Sequence, residues 1–458
     1  MKNLGEQAIV IGASIGGLLA ARVLSDFYTT VTVLERDAFP ATDIARKGVP
    51  QGRHTHGLLA RGSQVIEQFF PGFCDEVVEQ SGGLRGDVAN DVIWIGRNVT
   101  LAAGKSDLIG LLASRPVLEG HLRRRLLKLP NVRVVEHCVV RGLASDLARR
   151  RVTGVCMRVE GGPEETAYAD LIVDATGRGS SSAVWLEELG YPPPAIEKVE
   201  IGIGYMSRTY RRRPADLDGK LGIIVAGSEP DWRNGAMLAQ ESDTWIVSTG
   251  GFLGDEAADD DQGFLAYLAT LPTRAIHDVV ANAEPLGDFR RYRYACSLRR
   301  RYEKLARFPA NFLVFGDAIC SFNPVYGQGM TVAAQEATAL YHCLEHAGSN
   351  DLARRFFKAA AKIVDIPWDI AVGNDLRNPR VEGARPPMLR FINWYIGKLH
   401  LAAMHDSTLS TAFLKVVNLM VPPPSLLSPA IAWRVWCGAR KSNSGVANID
   451  ACRERRVT

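Results

Sequence analysis

Nothing in this 458-residue sequence is both apolar enough and unbroken enough to span a bilayer. Its best uncharged run, Val416 to Trp433, is cut by Pro422, Pro423, Pro424 and Pro429, and proline inside a helix removes a backbone donor and ends it. An apolar surface resting on a bilayer stays open for this stretch, beside packing against the main body. Charge of one sign is lacking as well. The 54 Lys and Arg against 50 Asp and Glu leave a net charge of +4, too little for the field of a nucleic-acid binder. The eight cysteines, scattered from Cys74 to Cys452, include no C-x-x-C pair, and no apolar leader ending in small residues opens the chain. A cytoplasmic location is therefore expected, and the Asn98-Val99-Thr100 sequon is an accident of composition.

With 47% hydrophobic and 23% charged residues, the chain reads as globular and, at this length, as two or more lobes. Four arginine triplets, 123–125, 149–151, 211–213 and 299–301, read as solvated surface corners.

The first informative segment is a buried strand, Gln7 to Gly12, followed by Gly12-Ala13-Ser14-Ile15-Gly16-Gly17 and a helical pattern over Leu18 to Leu24. A second apolar run, Val31 to Leu34, ends in Glu35 and Arg36, with Glu35 where a ribose-binding acid belongs. Gly12 permits the sharp turn, Gly17 lets helix and strand pack closely, and Ser14 stands where the usual pattern has its middle glycine. The same letters spell G-x-S-x-G, the nucleophile elbow of hydrolases. That reading is disfavoured because the motif follows the first strand rather than several.

Two later segments repeat the strand-into-glycine form. Leu171-Ile172-Val173 runs into Asp174-Ala175-Thr176-Gly177. Asn311 to Phe315 runs into Gly316-Asp317, then Asn323-Pro324-Val325-Tyr326-Gly327-Gln328-Gly329-Met330 and a helical pattern from Thr331 to His342. These last glycines fall at a helix N-terminus, whose free N–H groups and dipole stabilise negative charge.

In this order, the motifs resemble those of the single-component FAD monooxygenases of the para-hydroxybenzoate hydroxylase type. The segment Gly52-Arg53-His54-Thr55-His56-Gly57-Leu58 resembles one in bacterial polyene epoxidase-like members. The resemblance implies a Rossmann-like α/β FAD-binding domain of the GR2 type, with an inserted antiparallel β-sheet substrate domain and a C-terminal helical segment. It implies that Gly12, Ser14, Gly16, Gly17, Glu35, Arg36, Arg115, Asp174 and Gly177 hold the dinucleotide, and that Gly316 and Asp317 hold the ribityl chain. Arg53, His54, Pro324 and Gly327 to Met330 are implied near the flavin ring, with Arg53, His54, Pro324 and Gly327 as the catalytic set. No second dinucleotide fingerprint is visible, so NAD(P)H is implied as a transient co-substrate, with O2 the oxidant through a flavin C4a-hydroperoxide.

The expected divisions are 1–195 and 296–385 for the FAD-binding domain, 196–295 for the sheet domain and 386–458 for the apolar C-terminal segment. Alternation places strands at Glu200 to Tyr210, Lys220 to Ala226, Ala236 to Gln240 and Thr244 to Gly250, with Tyr205, Met237 and Trp245 as substrate-facing candidates or ordinary core. The apolar tail favours an alkene or polyene over an aromatic ring as substrate. A flavin-dependent reductase of isoprenoid double bonds shares the glycine motifs and remains the alternative. A halogenase is disfavoured because W-x-W-x-I-P is absent. Neither His54 with His56 nor His342-x-x-Glu345-His346 is taken as a metal site: the first pair has no third ligand in view, and the second lies on the outer part of a helix.

Overall fold

The computed structural model describes residues 3–346 and 351–439; Cys452 and the rest of the expected C-terminal segment, 440–458, lie outside them. The chain divides into two compact units, residues 1–83, 113–200 and 296–371 in one and 84–112, 201–295 and 372–458 in the other. Two long strands, Ile196–Arg211 and Arg290–Arg300, carry the chain between the units.

The first unit is built on a five-stranded sheet in the order Phe312–Val314, Leu171–Asp174, Gly5–Ile11, Tyr28–Leu34, Val132–Val135, with every pair parallel. Its central strands read as unbroken apolar runs because a parallel sheet is covered on both faces: Ala8 to Ile11 and all of Leu171–Asp174 are buried. The helix Ile15–Leu24 returns the chain from the first strand to the second, and the helices Arg115–Leu126 and Gly329–Glu345 pack beside it. An antiparallel sheet of Cys138–Ser145, Val152–Val159 and Glu164–Tyr168 precedes the strand Leu171–Asp174.

The second unit holds the expected antiparallel sheet, with Asn234–Gln240 and Thr244–Gly251 joined through residues 241–243. Sequence reading leaves residues 84–112 in the first unit, whereas the strand Val92–Gly96 pairs in parallel with Gly222–Val225 and belongs to the second. A non-local parallel pairing leaves no local sequence signal, so this segment's place was not legible. The expected separate C-terminal segment likewise joins this unit through the helices Pro387–Ala403 and Ser407–Val417. No helix among the described residues is long and apolar enough to cross a membrane.

The two faces of the second sheet differ. Met206, Tyr210, Met237, Trp245 and Val247 lie in an apolar core with Phe264, Leu268 and Ile276 of the helices Asp261–Ala269 and Ala275–Val280. Met237 and Trp245 are fully buried there, and the Trp245 Nε1–H donates to Asp216 at 2.8 Å. Tyr205 neighbours Met206 in the strand and so points to the opposite face, with its register partner Gly250 and with Ser207, Ser248, Leu238 and Ile246. All three substrate-facing candidates are therefore buried, Met237 and Trp245 beneath the helices and Tyr205 on the opposite face, because alternation within one strand does not fix its register against the next.

Candidate functional site

The three glycine turns meet at one level of the parallel sheet. Ile11 pairs with Asp174 and Asp174 with Val314, so Gly12, Ala175 and Phe315 leave adjacent strands side by side at their carboxyl ends. The strand order reverses at the first strand, and such a switch point is where open α/β sheets bind ligands. Phe315 N–H donates to the Asp174 carbonyl and Ala175 N–H to the Ile11 carbonyl, which locks the turns together.

Close packing explains the early glycines. Gly12 has φ +96°, and a Cβ there would meet the Ala175 carbonyl oxygen at 2.8 Å. A Cβ on Gly17 would fall 1.8 Å from the Gly12 carbonyl oxygen. The later glycines face space instead: a Cβ on Gly316 or Gly327 meets nothing within 4 Å, and one on Gly177 meets only the Asp317 Cβ at 3.9 Å. A backbone cradle packed from behind and open in front fits an extended dinucleotide.

Polar groups organise the cradle. Asp174, fully buried, accepts from Thr176 N–H at 2.9 Å, from Thr176 Oγ1 at 2.6 Å and from the hydroxyls of Ser180 and Ser182. Its carboxylate is consumed in shaping the turn, so it supports a ligand from behind rather than touching it. Asp317 differs. It is exposed, enters no hydrogen bond or ion pair among the described residues, and lies with its Oδ1 3.9 Å from a Cβ built on Gly329, the first residue of the helix Gly329–Glu345. Surrounding protein pushes its carboxyl above the usual carboxylate range, offset in part by Arg115 and Arg178. Gln328 stands at that helix's N-cap and Met330 is buried in its first turn, while Asn323 accepts from Val325 N–H beside Pro324. Gly327 closes this turn with φ +65°, a conformation side chains disfavour.

At the first turn, Ser14 accepts a hydrogen bond from the Arg115 guanidinium at 2.9 Å, which brings the two implied pyrophosphate contacts together. Gly16 packs against Phe315. Glu35 accepts from Ala13 N–H at 2.8 Å and Asp37 N–H at 3.0 Å, and Arg36 is exposed beside it. Arg46 closes the rear of the site: buried, it lies 3.0 Å from Glu35, 2.6 Å from Glu119 and 3.1 Å from the Ala13 carbonyl. Burial alone would lower the Arg46 guanidinium, yet Glu119 and Glu35 hold it above its ordinary value. Pro40, Asp43, Gly52, Arg115 and Glu119 line a small adjoining pocket.

Arg53 ends the short 3₁₀ turn Pro50–Arg53 and is exposed; His54 and His56 follow in loop, not on a strand that would align them as ligands. Burial, then Arg53, pushes His54 down to about 4, and burial, then Arg115, pushes His56 down to about 3. Both rings are neutral at physiological pH. His342, Glu345 and His346 stand in solvent on the outer helix face.

Sequence reasoning missed Arg46, Glu119, Glu336 and the cross-link made by Arg300, which donates to the Arg178 and Ala318 carbonyls at 3.0 Å each and so ties the second turn to the third. Arg123, Arg299 and Arg300 are buried, so two of the four triplets contain internal braces, while Arg124 stays exposed. Glu336 had a signal, since it shares a helix face with Ala333, Ala337 and Leu340, where a charged residue is out of place. It accepts Gly316 N–H at 2.7 Å, and burial pushes its carboxyl up to about 8, with Asp317 adding to the rise and the Gly316 hydrogen bond opposing it.

No family model matches the chain. It is 36% identical to protein Rv3254 of Mycobacterium tuberculosis over 95% of each chain, and 24% identical to kynurenine 3-monooxygenase of Salinispora tropica over 82% of each. Its fold is similar to the crystal structure of PqsL, a probable FAD-dependent monooxygenase from Pseudomonas aeruginosa, with TM-score 0.61 and 16% identity over 81% of this chain and 97% of that one. Three registered glycine turns and these likenesses lead to one statement: the chain belongs to the family of protein Rv3254 and has the fold of the FAD-dependent monooxygenases of the para-hydroxybenzoate hydroxylase type.

Proposed function

We propose that the chain uses FAD, NAD(P)H and O2 to insert one oxygen atom into an apolar alkene, a polyene or an aromatic ring. The observation that carries this reading is the registered meeting of the three turns at the switch point, beside the N-terminus of the helix Gly329–Glu345. FAD, when bound, supplies the redox chemistry and the activation of oxygen. The chain's own residues hold and tune. Gly12 to Gly17 present backbone N–H groups to phosphate, with Arg115 adding positive charge. Asp317, open and with no hydrogen-bond or ion-pair partner among the described residues, is placed to accept hydroxyl protons from a ribityl chain. The first N–H groups of the helix Gly329–Glu345 favour negative charge on the ring edge they face. Neutral His54 and His56 add polarity without a competing cation.

The substrate rests, in this reading, beside the face of the second sheet opposite the helices 261–269 and 275–280, where the buried Tyr205 and the hydrogen-bonded Ser207 and Ser248 stand near Leu238 and Ile246. One phenol, two hydroxyls and aliphatic side chains suit a mostly apolar molecule with few polar handles. The apolar C-terminal segment supports a large alkene over a small ring, and an epoxidation in secondary metabolism is the finer form of the proposal.

The test is to purify the chain with its flavin and follow O2 uptake and NAD(P)H oxidation while polyenes and phenols are added. Substrate-stimulated uptake with an oxygenated product supports the reading. Reduction of a double bond without O2 uptake replaces it with the isoprenoid reductase, and a chain that takes up no flavin ends both.

A further inference from the structure

The helix Pro387–Ala403 has an unusual exterior. Its C-terminal half is anchored, with Leu399, His400, Ala402 and Ala403 buried, but its N-terminal half turns apolar side chains to solvent. Met388, Phe391, Ile392 and Trp394 are 65%, 47%, 46% and 57% exposed. Residues 388, 391, 392 and 395 fall on one helical stripe with 394 at its margin, and Phe391 lies 5.9 Å from Trp394 and 6.5 Å from Tyr395 between ring centroids. The adjoining helix 429–439 exposes Trp433 and Trp436 and meets the first at Ala402, where a Cβ on Gly438 would come within 2.6 Å. Tyr395 ties the stripe to the proline-rich turn by donating to the Leu426 carbonyl at 2.6 Å, and Leu427 beside it is exposed.

Charge accompanies this surface. Between residues 377 and 437 there are seven Lys and Arg against two acids, Glu382 and Asp406, and Asp406 is already paired with Arg434. Arg380, Arg390 and Lys398 have no ion-pair partner among the described residues. We propose that the exposed aromatic stripe of the helix Pro387–Ala403, with Trp433 and Trp436, is a peripheral docking surface for an anionic lipid bilayer.

Three arguments select that occupant. Tryptophan and tyrosine favour the boundary between acyl chains and headgroups, where an apolar ring meets a wet rim. Unpaired basic groups complement phosphate headgroups. A second copy of this chain is disfavoured, because a two-fold contact would set the same basic rim against itself. With no helix among the described residues able to cross a membrane, the segment lies on the surface, its apolar side sunk into the headgroup boundary.

The experiment is co-sedimentation of the full chain with vesicles of phosphatidylcholine alone or mixed with phosphatidylglycerol, read together with tryptophan emission. The expected result is binding to the anionic vesicles with a blue shift, weakened about tenfold or more in the Phe391→Asp/Trp394→Asp variant and by added salt. Arg390→Glu/Lys398→Glu provides a second variant that leaves the apolar stripe intact and should weaken binding as well. Unchanged circular dichroism shows that each variant is folded. Absence of binding to anionic vesicles, binding indifferent to both variants, or a self-association in vesicle-free solution abolished by the Asp substitutions would overturn the proposal.

Discussion

Glu336 sets a test that no surface residue can imitate. Its carboxyl is fully buried, accepts Gly316 N–H at 2.7 Å and titrates near 8 in the fold against 4.5 as a free side chain. Between those values the folded chain holds a proton that the unfolded chain has released. Stability therefore falls as pH rises from about 4.5 through about 8, then levels off. At 1.36 kcal/mol per unit, the full change is about 3–5 kcal/mol. Glu336→Gln keeps an acceptor for Gly316 N–H and removes the ionisation. The variant should match the parent at pH 5 to within about 1 kcal/mol and exceed it at pH 9 by about 3–5 kcal/mol. In thermal scans that is on the order of 10 °C for a unit of this size. The assay is thermal unfolding of parent and variant across pH 5 to 9, with the difference between curves cancelling every other titrating group. Parallel curves would refute the reasoning, because they would mean that Glu336 is ionised or solvated in the fold.

The other predictions follow from the same geometry. Arg46→Met leaves Glu35 and Glu119 buried without their cation and should cost about 3–5 kcal/mol in urea unfolding; a loss below about 1 kcal/mol would show that water reaches them. Gly17→Ala sets a Cβ against the Gly12 carbonyl and should lower stability by about 1–3 kcal/mol or more while weakening flavin retention, read from bound absorbance per chain. Trp245→Ala should cost about 3–5 kcal/mol in urea unfolding as core, and a loss below about 1 kcal/mol would contradict its place under the helices 261–269 and 275–280.

Legibility followed locality. Each glycine turn carries its own signal, since a strand entering a turn with φ +96° at Gly12 or +66° at Gly316 favours glycine whatever surrounds it. The order of the turns then implied the sheet. What the sequence hid was non-local. Residues 84–112 join the second unit through a parallel pairing with residues more than a hundred positions later, and Arg46 finds Glu119, 73 positions away. Arg299 and Arg300 look like surface charge in a triplet, yet Arg299 reaches Asp365 at 2.6 Å and Arg300 reaches two carbonyls. Strand alternation grouped Tyr205 with Met237 and Trp245, but the cross-strand register puts Tyr205 on the opposite face, and register between strands is not written in any one of them.

The central claim is that the three turns grip a single FAD, with Asp317 as the open carboxylate among them. Its most direct test is a fluorescence titration of flavin-free chain with FAD, for the parent and for Asp317→Ala. One FAD per chain for the parent, with affinity weakened about tenfold or more in a variant of unchanged melting temperature, is the predicted result. A parent that binds no FAD, or an Asp317→Ala variant that binds it as tightly, would contradict the account.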